Sequence, residues 1–316
     1  MKKVLIIKLG YTETLDSMLS PTTSLGDVLR TTVILHFFKG SHIDWLVDEK
    51  ARPLLEYNEY INKIWVYNSS TVSQLKKEKF DIIVNLEKLP EICLLAASLA
   101  ARDYFGFGFN RLDKDVRKSY EGSKRLIELT QDVNKRRENK DCWQKILAEA
   151  LGKKWNSEGY TLGYKPKSEI KYDIGLNWTT GNKWTNKAWP RAYWESLEGL
   201  IKDKYSISWQ EGLDSLYEYI DWINSCRLIV TADTLGLHIS LPLNKKVVAL
   251  FGPTSHREIY LYDCGSFLVP RVAYKCIPCF KPYCDKERQC MEYITPEKVK
   301  ERIENEFKRN RVTPEV

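Results

Sequence analysis

The residues best suited to chemistry gather in one stretch, 226–254, CRLIVTADTLGLHISLPLNKKVVALFGPT. Ala232-Asp233-Thr234 joins a short apolar run to a helix expected from about Leu235, with Gly236 in its first turn and His238 shortly after. Free backbone N–H groups and the helix dipole at such a start favour an anion, and glycine permits close backbone approach. A second turn, Gly252-Pro253-Thr254, follows the next apolar run. Both turns would lie at the carboxyl edge of a parallel sheet, where open α/β sheets bind ligands. Phosphate binding is the chemistry this predicts. A plainer use stays open: Asp233 and Thr234 can cap a helix, and His238 can be a core histidine.

Two other places carry chemically able residues. Ser24-x-x-Asp27 has capping-box spacing, with aspartate in place of glutamate, at the start of a helix expected over 26–39. One carboxylate can cap a helix and also face a ligand. Cys276-x2-Cys279-x4-Cys284-x5-Cys290 puts four thiols in a short span, which could hold a structural zinc or iron or remain plain thiols. The chain's eight cysteines come without an export signal, which argues against a disulfide framework.

The elements that must position these residues alternate in βα fashion. Short Val-, Ile- and Leu-rich runs at 4–9, 43–47, 63–67, 81–86 and 104–107 read as buried strands. Helices are expected near 52–56, 92–101 and 142–151. The charged stretch 110–140, with Lys135-Arg136-Arg137, reads as solvated surface. Residues 164–168, YKPKS, read as a linker. Strands at 172–177, 205–209, 227–231, 246–251 and 267–269 follow, with helices after Pro190, around 213–223 and from Thr295. The alternation predicts two doubly wound α/β domains. The expected divisions are 1–167, 168–295 and a terminal helix at 296–316 crossing back onto the first domain.

The chain has 316 residues, 43% of them hydrophobic, enough for two ordinary domains. Lys8 interrupts the first apolar run and no small-residue cleavage site follows, so a cytoplasmic protein is expected. A net charge of +7, spread along the chain, does not predict a nucleic-acid partner; it fits loose attraction to an anionic membrane face or ordinary solvation.

D-T-x-x-x-H followed by V-V-A-L-F-G-P-T resembles the donor-diphosphate loop of glycosyltransferase family 9, the heptosyltransferase-like enzymes. L-G-D-V-L-R-T-T at 25–32, W-L-V-D-E-K-A-R-P-L-L-E at 45–56 and K-x-W-P at 187–190 resemble the same family, in the expected order. The resemblance implies the GT-B architecture, two Rossmann-like domains facing a central cleft. It implies inverting sugar transfer with no catalytic cofactor, from a nucleotide-diphosphate sugar such as ADP-heptose to a lipopolysaccharide-core or other glycan acceptor. Peripheral contact with the cytoplasmic face of the inner membrane goes with such an acceptor. Asp27 would be the base. Lys187, Asp233, Thr234, Leu235, Gly236 and His238 would meet the donor, with Glu211, Thr179 and Lys183 nearby. Leu235 stands where many relatives have glycine, so its side chain should turn into the core. The sequence also departs from the family at 10–24, a polar insert whose Glu13 and Asp16 could meet the acceptor. An epimerase of the same architecture, or a nucleotide-sugar or metal sensor without turnover, are the rival readings.

Overall fold

The structure is a computed structural model and describes residues 1–11, 22–110, 115–119, 122–212 and 215–309. Glu13 and Asp16, like most of the insert that contains them, lie outside the described residues. The chain forms two compact units, Met1–Lys165 with Arg257–Tyr260, and Pro166–His256 with Leu261–Val316. The division falls within the 164–168 stretch; the contribution of Arg257–Tyr260 to the first unit has no counterpart in the sequence reading.

The first unit is built on a sheet of β1 (Lys3–Ile7), β2 (His42–Val47), β3 (Lys63–Val66), β4 (Lys79–Asn85), β5 (Ala100–Asn110) and β6 (Asp115–Ser119). Its order is β3-β2-β1-β4-β5-β6. The first five run parallel, and β6 pairs antiparallel with β5. Val4, Leu5, Ile6 and Ile7 are all fully buried, which explains the unbroken apolar run: a strand covered on both faces has no polar side. From β1 the chain moves one way to β2 and β3, then returns to place β4 on β1's other edge. This reversal makes the β1/β4 crevice the switch point, bounded by the residues that follow those two strands.

The helix expected over 26–39 is α-helical only at Leu25–Thr31 and tightens to a 3-10 helix over Thr32–Phe38. Thr31 Oγ1 donates to the Asp27 carbonyl at 2.7 Å and Thr32 Oγ1 to the Leu29 carbonyl at 2.6 Å. Such back-bonding, next to β-branched Val33 and Ile34, strains the α-helical ladder. The expected solvated surface at 110–140 also contains structure: Lys124–Gln131 and Val133–Glu138 are helices, and Arg136 is buried.

The second unit has β7 (Tyr172–Asn177), β8 (Ile207–Trp209), β9 (Cys226–Ala232), β10 (Lys246–Leu250) and β11 (Gly265–Leu268), ordered β11-β10-β9-β7-β8 and all parallel. Its switch point lies between β7 and β9, with Asn177 opposite Thr231 at the edge. The terminal helix Pro296–Lys308 packs within the second unit. Val299 and Ile303 are fully buried in the second unit's core with Trp194, Leu197 and Val248. Those two side chains, four apart on one helical face, are apolar anchors that hold it there. No helix among the described residues is long and apolar enough to cross a membrane.

Candidate functional site

Each switch point carries a cluster of buried charge. In the first unit, β1 ends in Lys8 and β4 leads into Glu87. The helix Leu25–Thr31 brings Asp27 and Arg30 to the same place. Lys8 Nζ forms an ion pair with Asp27 Oδ2 and reaches Glu87 Oε1 at 3.3 Å. Arg30 gives Nε and Nη2 to Asp27 Oδ1 at 2.8 and 2.6 Å. Asp27 therefore does not form the expected capping box: the Ser24 side chain makes no cap bond to the helix, and the carboxylate turns to the two cations instead. Burial pushes the Asp27 carboxyl up, but Lys8 and Arg30 outweigh it and hold it well below the usual carboxylate range. Glu87 Oε1 accepts the N–H groups of Leu9, Gly10 and Tyr11 at 2.8, 2.6 and 3.3 Å, so the turn after β1 is tied to the turn after β4.

A pocket opens on this cluster, lined by Lys8, Asp27, Arg30, Thr130, Arg136 and Trp143 among others. The Arg30 guanidinium lies 4.9 Å from the Trp143 ring. Arg136 pairs in bidentate fashion with Glu258, at 2.6 and 2.8 Å. Lys88 reaches the Thr130 carbonyl at 3.4 Å; burial, then the charges of Arg136 and Lys8, push its pKa down to about 8.

In the second unit, Lys187 Nζ lies 3.0 Å from Asp233 Oδ2 and donates to the Asp233 carbonyl, also at 3.0 Å. Thr254 Oγ1 donates to Asp233 Oδ2 at 2.7 Å, and His238 Nε2 stands 3.8 Å from Oδ1. Burial raises the Asp233 carboxyl, but Lys187, His238 and Thr254 together hold it well below its ordinary value. Lys187, Asp233 and His238 are thus brought together, and Thr254 completes the group from the turn after β10. Thr234 Oγ1 accepts from Asn177 Nδ2 at 3.0 Å.

An adjoining pocket is lined by Thr179, Gly181, Gln210, Ser215, Leu216, Tyr219, Thr234 and Leu235. Leu235 does not turn into the core as expected. Half-buried, it forms part of that wall, because the tight spot in this turn belongs to Gly236, where an added Cβ would stand 2.4 Å from Asn177 Nδ2. Thr179 donates to Gln210 Oε1 at 2.7 Å, whereas Glu211 is exposed and does not line the pocket. Lys183 is buried rather than solvated.

Cys276, Cys279 and Cys284 are half-buried, Cys290 is buried, and all are free thiols. Burial, with Cys279, Cys284 and Cys276 nearby, pushes Cys290 up to about 12. Among the described residues no group of three or more His, Cys, Asp or Glu side chains is arranged to hold a metal.

Lys8, Arg30, Glu87, Arg136, Asn177 and Gln210 escaped the sequence reading. Only Lys8 left a signal there, a lone charge breaking an otherwise apolar strand.

Residues 212–289 match the family described as glycosyltransferase family 9 (heptosyltransferase). Lipooligosaccharide heptosyltransferase 2 of Campylobacter jejuni is 32% identical over 84 residues, 26% of this chain and 26% of that enzyme, so the chain matches about a quarter of that relative's length. Lipopolysaccharide heptosyltransferase 1 of Campylobacter coli is 23% identical over 75% of this chain and 84% of its own. The solved structure of E. coli heptosyltransferase WaaC with ADP-2-deoxy-2-fluoro heptose has the same fold, with a TM-score of 0.62 and 18% identity, covering 96% of this chain and 99% of WaaC. Over residues 212–289 the chain matches glycosyltransferase family 9, and as a whole it has the fold of the solved heptosyltransferase, two Rossmann-like units of the GT-B kind.

Proposed function

We propose that the protein is an inverting, metal-independent glycosyltransferase that moves heptose from ADP-heptose to a lipopolysaccharide-core or related glycan acceptor. The observation that carries this reading is the Lys187–Asp233–Thr254 cluster at the second sheet's switch point, two of whose members lie in the segment matching the family. That WaaC was solved with an ADP-heptose analogue supports the choice of donor. In this reading the second unit takes the donor. Lys187, with the backbone N–H groups of Leu235 and Gly236, stabilises the departing diphosphate, while Asp233, Thr254 and His238 hold Lys187 and the turn in place. Thr179, Thr234 and Gln210 line the adjoining space for the rest of the nucleotide.

The first unit takes the acceptor. Asp27 removes the proton of the attacking hydroxyl, whose oxygen bonds to the anomeric carbon as the carbon–oxygen bond to the diphosphate breaks. The cations around Asp27 suit an acidic glycan. A net charge of +7 favours peripheral contact of a cytoplasmic enzyme with the anionic membrane that holds such an acceptor. No cofactor enters the chemistry, and the four loop thiols are assigned no metal.

The test is an ADP-heptose transfer assay with and without lipopolysaccharide-core acceptors, beside thermal stabilisation by a panel of nucleoside diphosphates. Product only when both substrates are present, and stabilisation by ADP above other diphosphates, are the expected results. Donor conversion without acceptor would favour an epimerase and defeat the reading.

A further inference from the structure

Lys187 Nζ and Thr254 Oγ1 converge on one atom, Asp233 Oδ2, at 3.0 and 2.7 Å. They reach it from two separate loops. Lys187 ends the 3-10 segment Asn182–Lys187, and Thr254 stands in the turn after β10. That 3-10 segment is a poor anchor by itself. It breaks at Trp184, whose φ of −134° and ψ of 65° are not helical. Short 3-10 pieces have poorly aligned hydrogen bonds, and a lysine head sits on a flexible four-carbon stem.

The loop after β11, which carries the four cysteines, joins the two places. The Phe280 N–H donates to the Pro253 carbonyl at 2.8 Å, one residue before Thr254. The Lys281 carbonyl accepts from Asn186 Nδ2 at 2.5 Å. The Pro282 carbonyl accepts from the Asn186 N–H at 3.3 Å and from Thr185 Oγ1 at 3.4 Å. Asn186 directly precedes Lys187, so the contacts close a ring. It runs from Asp233 to Lys187, back to Asn186, through residues 282–280 to Pro253, and on through Thr254 to Asp233. The whole ring lies within the second unit.

Its members are held firmly. Phe280 has a φ of +53°, a left-handed conformation that persists in a bulky residue only where the surroundings fix it. Its ring is only 2% exposed, which supplies that restraint. Asn186 is buried, and its Oδ1 has no hydrogen-bond partner among the described residues. Burying an unpaired amide oxygen is unfavourable, so the side chain is explained by what its Nδ2 holds. The far end of the same loop presses on the turn as well: an added Cβ at Gly252 would stand 2.6 Å from Cys290 Sγ.

We infer that residues 280–282 form a strap that sets Lys187 for the donor diphosphate, and that Asn186 is the positioning residue through which the strap acts. This rests on the reading of the second unit as the donor site. A lysine whose backbone is already fixed needs little reorganisation as the diphosphate departs, and preorganisation is what gives such a charge its effect. Asn186 acts through Lys187 rather than on the donor.

The experiment is calorimetry of ADP and adenosine binding at one ionic strength. It uses the full-length wild type, Asn186→Leu, Lys187→Ala and the double variant. Leucine matches the branching of asparagine without its donor. Asn186→Leu should weaken ADP by about 3- to 10-fold, the scale of one buried hydrogen bond, and leave adenosine nearly unchanged. In the Lys187→Ala background the same substitution should weaken ADP no further, because effects that pass through one residue do not add. Asn186→Ser, should the leucine variant not fold, is too short to reach the Lys281 carbonyl and should give the same pattern. Equal losses for ADP and adenosine, or a full further loss in the Lys187→Ala background, would overturn the proposal. Unchanged ADP binding in a variant that folds would do the same. Lys187→Ala alone separates the two levels. If it weakens ADP and adenosine alike, the donor reading itself falls; if it is selective for ADP while Asn186→Leu is not, only the strap falls.

Discussion

A carboxylate buried between two cations cannot be replaced without disturbing both. Asp27→Asn removes the carboxylate that Lys8 and Arg30 share, and breaking a buried pair in this way costs about 3–5 kcal/mol. The variant should therefore melt earlier, yet bind ADP unchanged, because the cluster proposed to take the donor belongs to the other unit. Turnover should drop by about a hundredfold or more, the scale of a lost general base. Near-normal turnover in protein that still binds ADP would remove Asp27 from the role. Lys187 makes a complementary prediction. Lys187→Ala should weaken ADP far more than adenosine in calorimetry at fixed ionic strength, since only the diphosphate carries the charge it meets; equal losses would place the lysine outside the phosphate site. At this scale the sequence showed residue types but not pairing. Lys187, Asp233 and His238 could be named from their resemblance. That Thr254 bonds to Asp233, or that Arg136 in a basic run is buried on Glu258, depends on contacts 21 and 122 residues apart.

At the scale of elements, the turn from β9 into the helix Leu235–Ser240 depends on one missing side chain. Asn177 Nδ2 donates to Thr231 Oγ1 at 2.7 Å, and Tyr219 OH donates to Asn177 Oδ1 at 2.8 Å. Those two side chains fill the space an added Cβ at Gly236 would need, 2.4 Å from Asn177 Nδ2 and 2.6 Å from Tyr219 OH. Gly236→Ala must break this chain of bonds or push the helix outward, and overpacking of this kind costs about 1–3 kcal/mol. Urea unfolding should show the loss, and ADP should bind more weakly because the helix start moves. A variant with wild-type stability and ADP affinity would mean that the turn gives way freely. Strands and most helices were legible because a strand covered on both faces needs a continuous apolar run, and because Pro190 and Pro296 mark helix starts. The shift to a 3-10 helix after Thr31 was not legible, since Thr31 and Thr32 could equally have pointed to solvent. The cysteine spacing left a metal and plain thiols both open for a related reason: spacing along the chain does not fix where the thiols aim.

Across the whole molecule, proton linkage separates the units. Asp27 in the first unit and Asp233 in the second have depressed folded-state pKa values, so each contributes stability that is present above the unfolded aspartate value of about 4. That contribution is lost as the pH falls through the unfolded value towards the lower folded one. Both units should therefore weaken in acid. Lys88 belongs to the first unit alone and has the opposite sign from a paired lysine. Its folded pKa is pushed down to about 8, below the ~10.4 of an unfolded lysine. Between those values the unfolded chain binds more protons than the native one, so the Lys88 contribution to stability rises with pH through that window. Tyrosines and other lysines titrate nearby, so the quantity to measure is the difference between wild type and Lys88→Met. Urea midpoints at pH 7, 8, 9 and 10, with ADP added to mark the second unit's transition, would isolate it. The expected result is that Lys88→Met is the more stable protein at pH 7, and that its advantage shrinks steadily towards pH 10 in the first unit's transition only. An advantage that stays constant with pH would mean that Lys88 is not held near Arg136 and Lys8 in solution, and that the cation-rich pocket beside Asp27 is looser than the geometry described above.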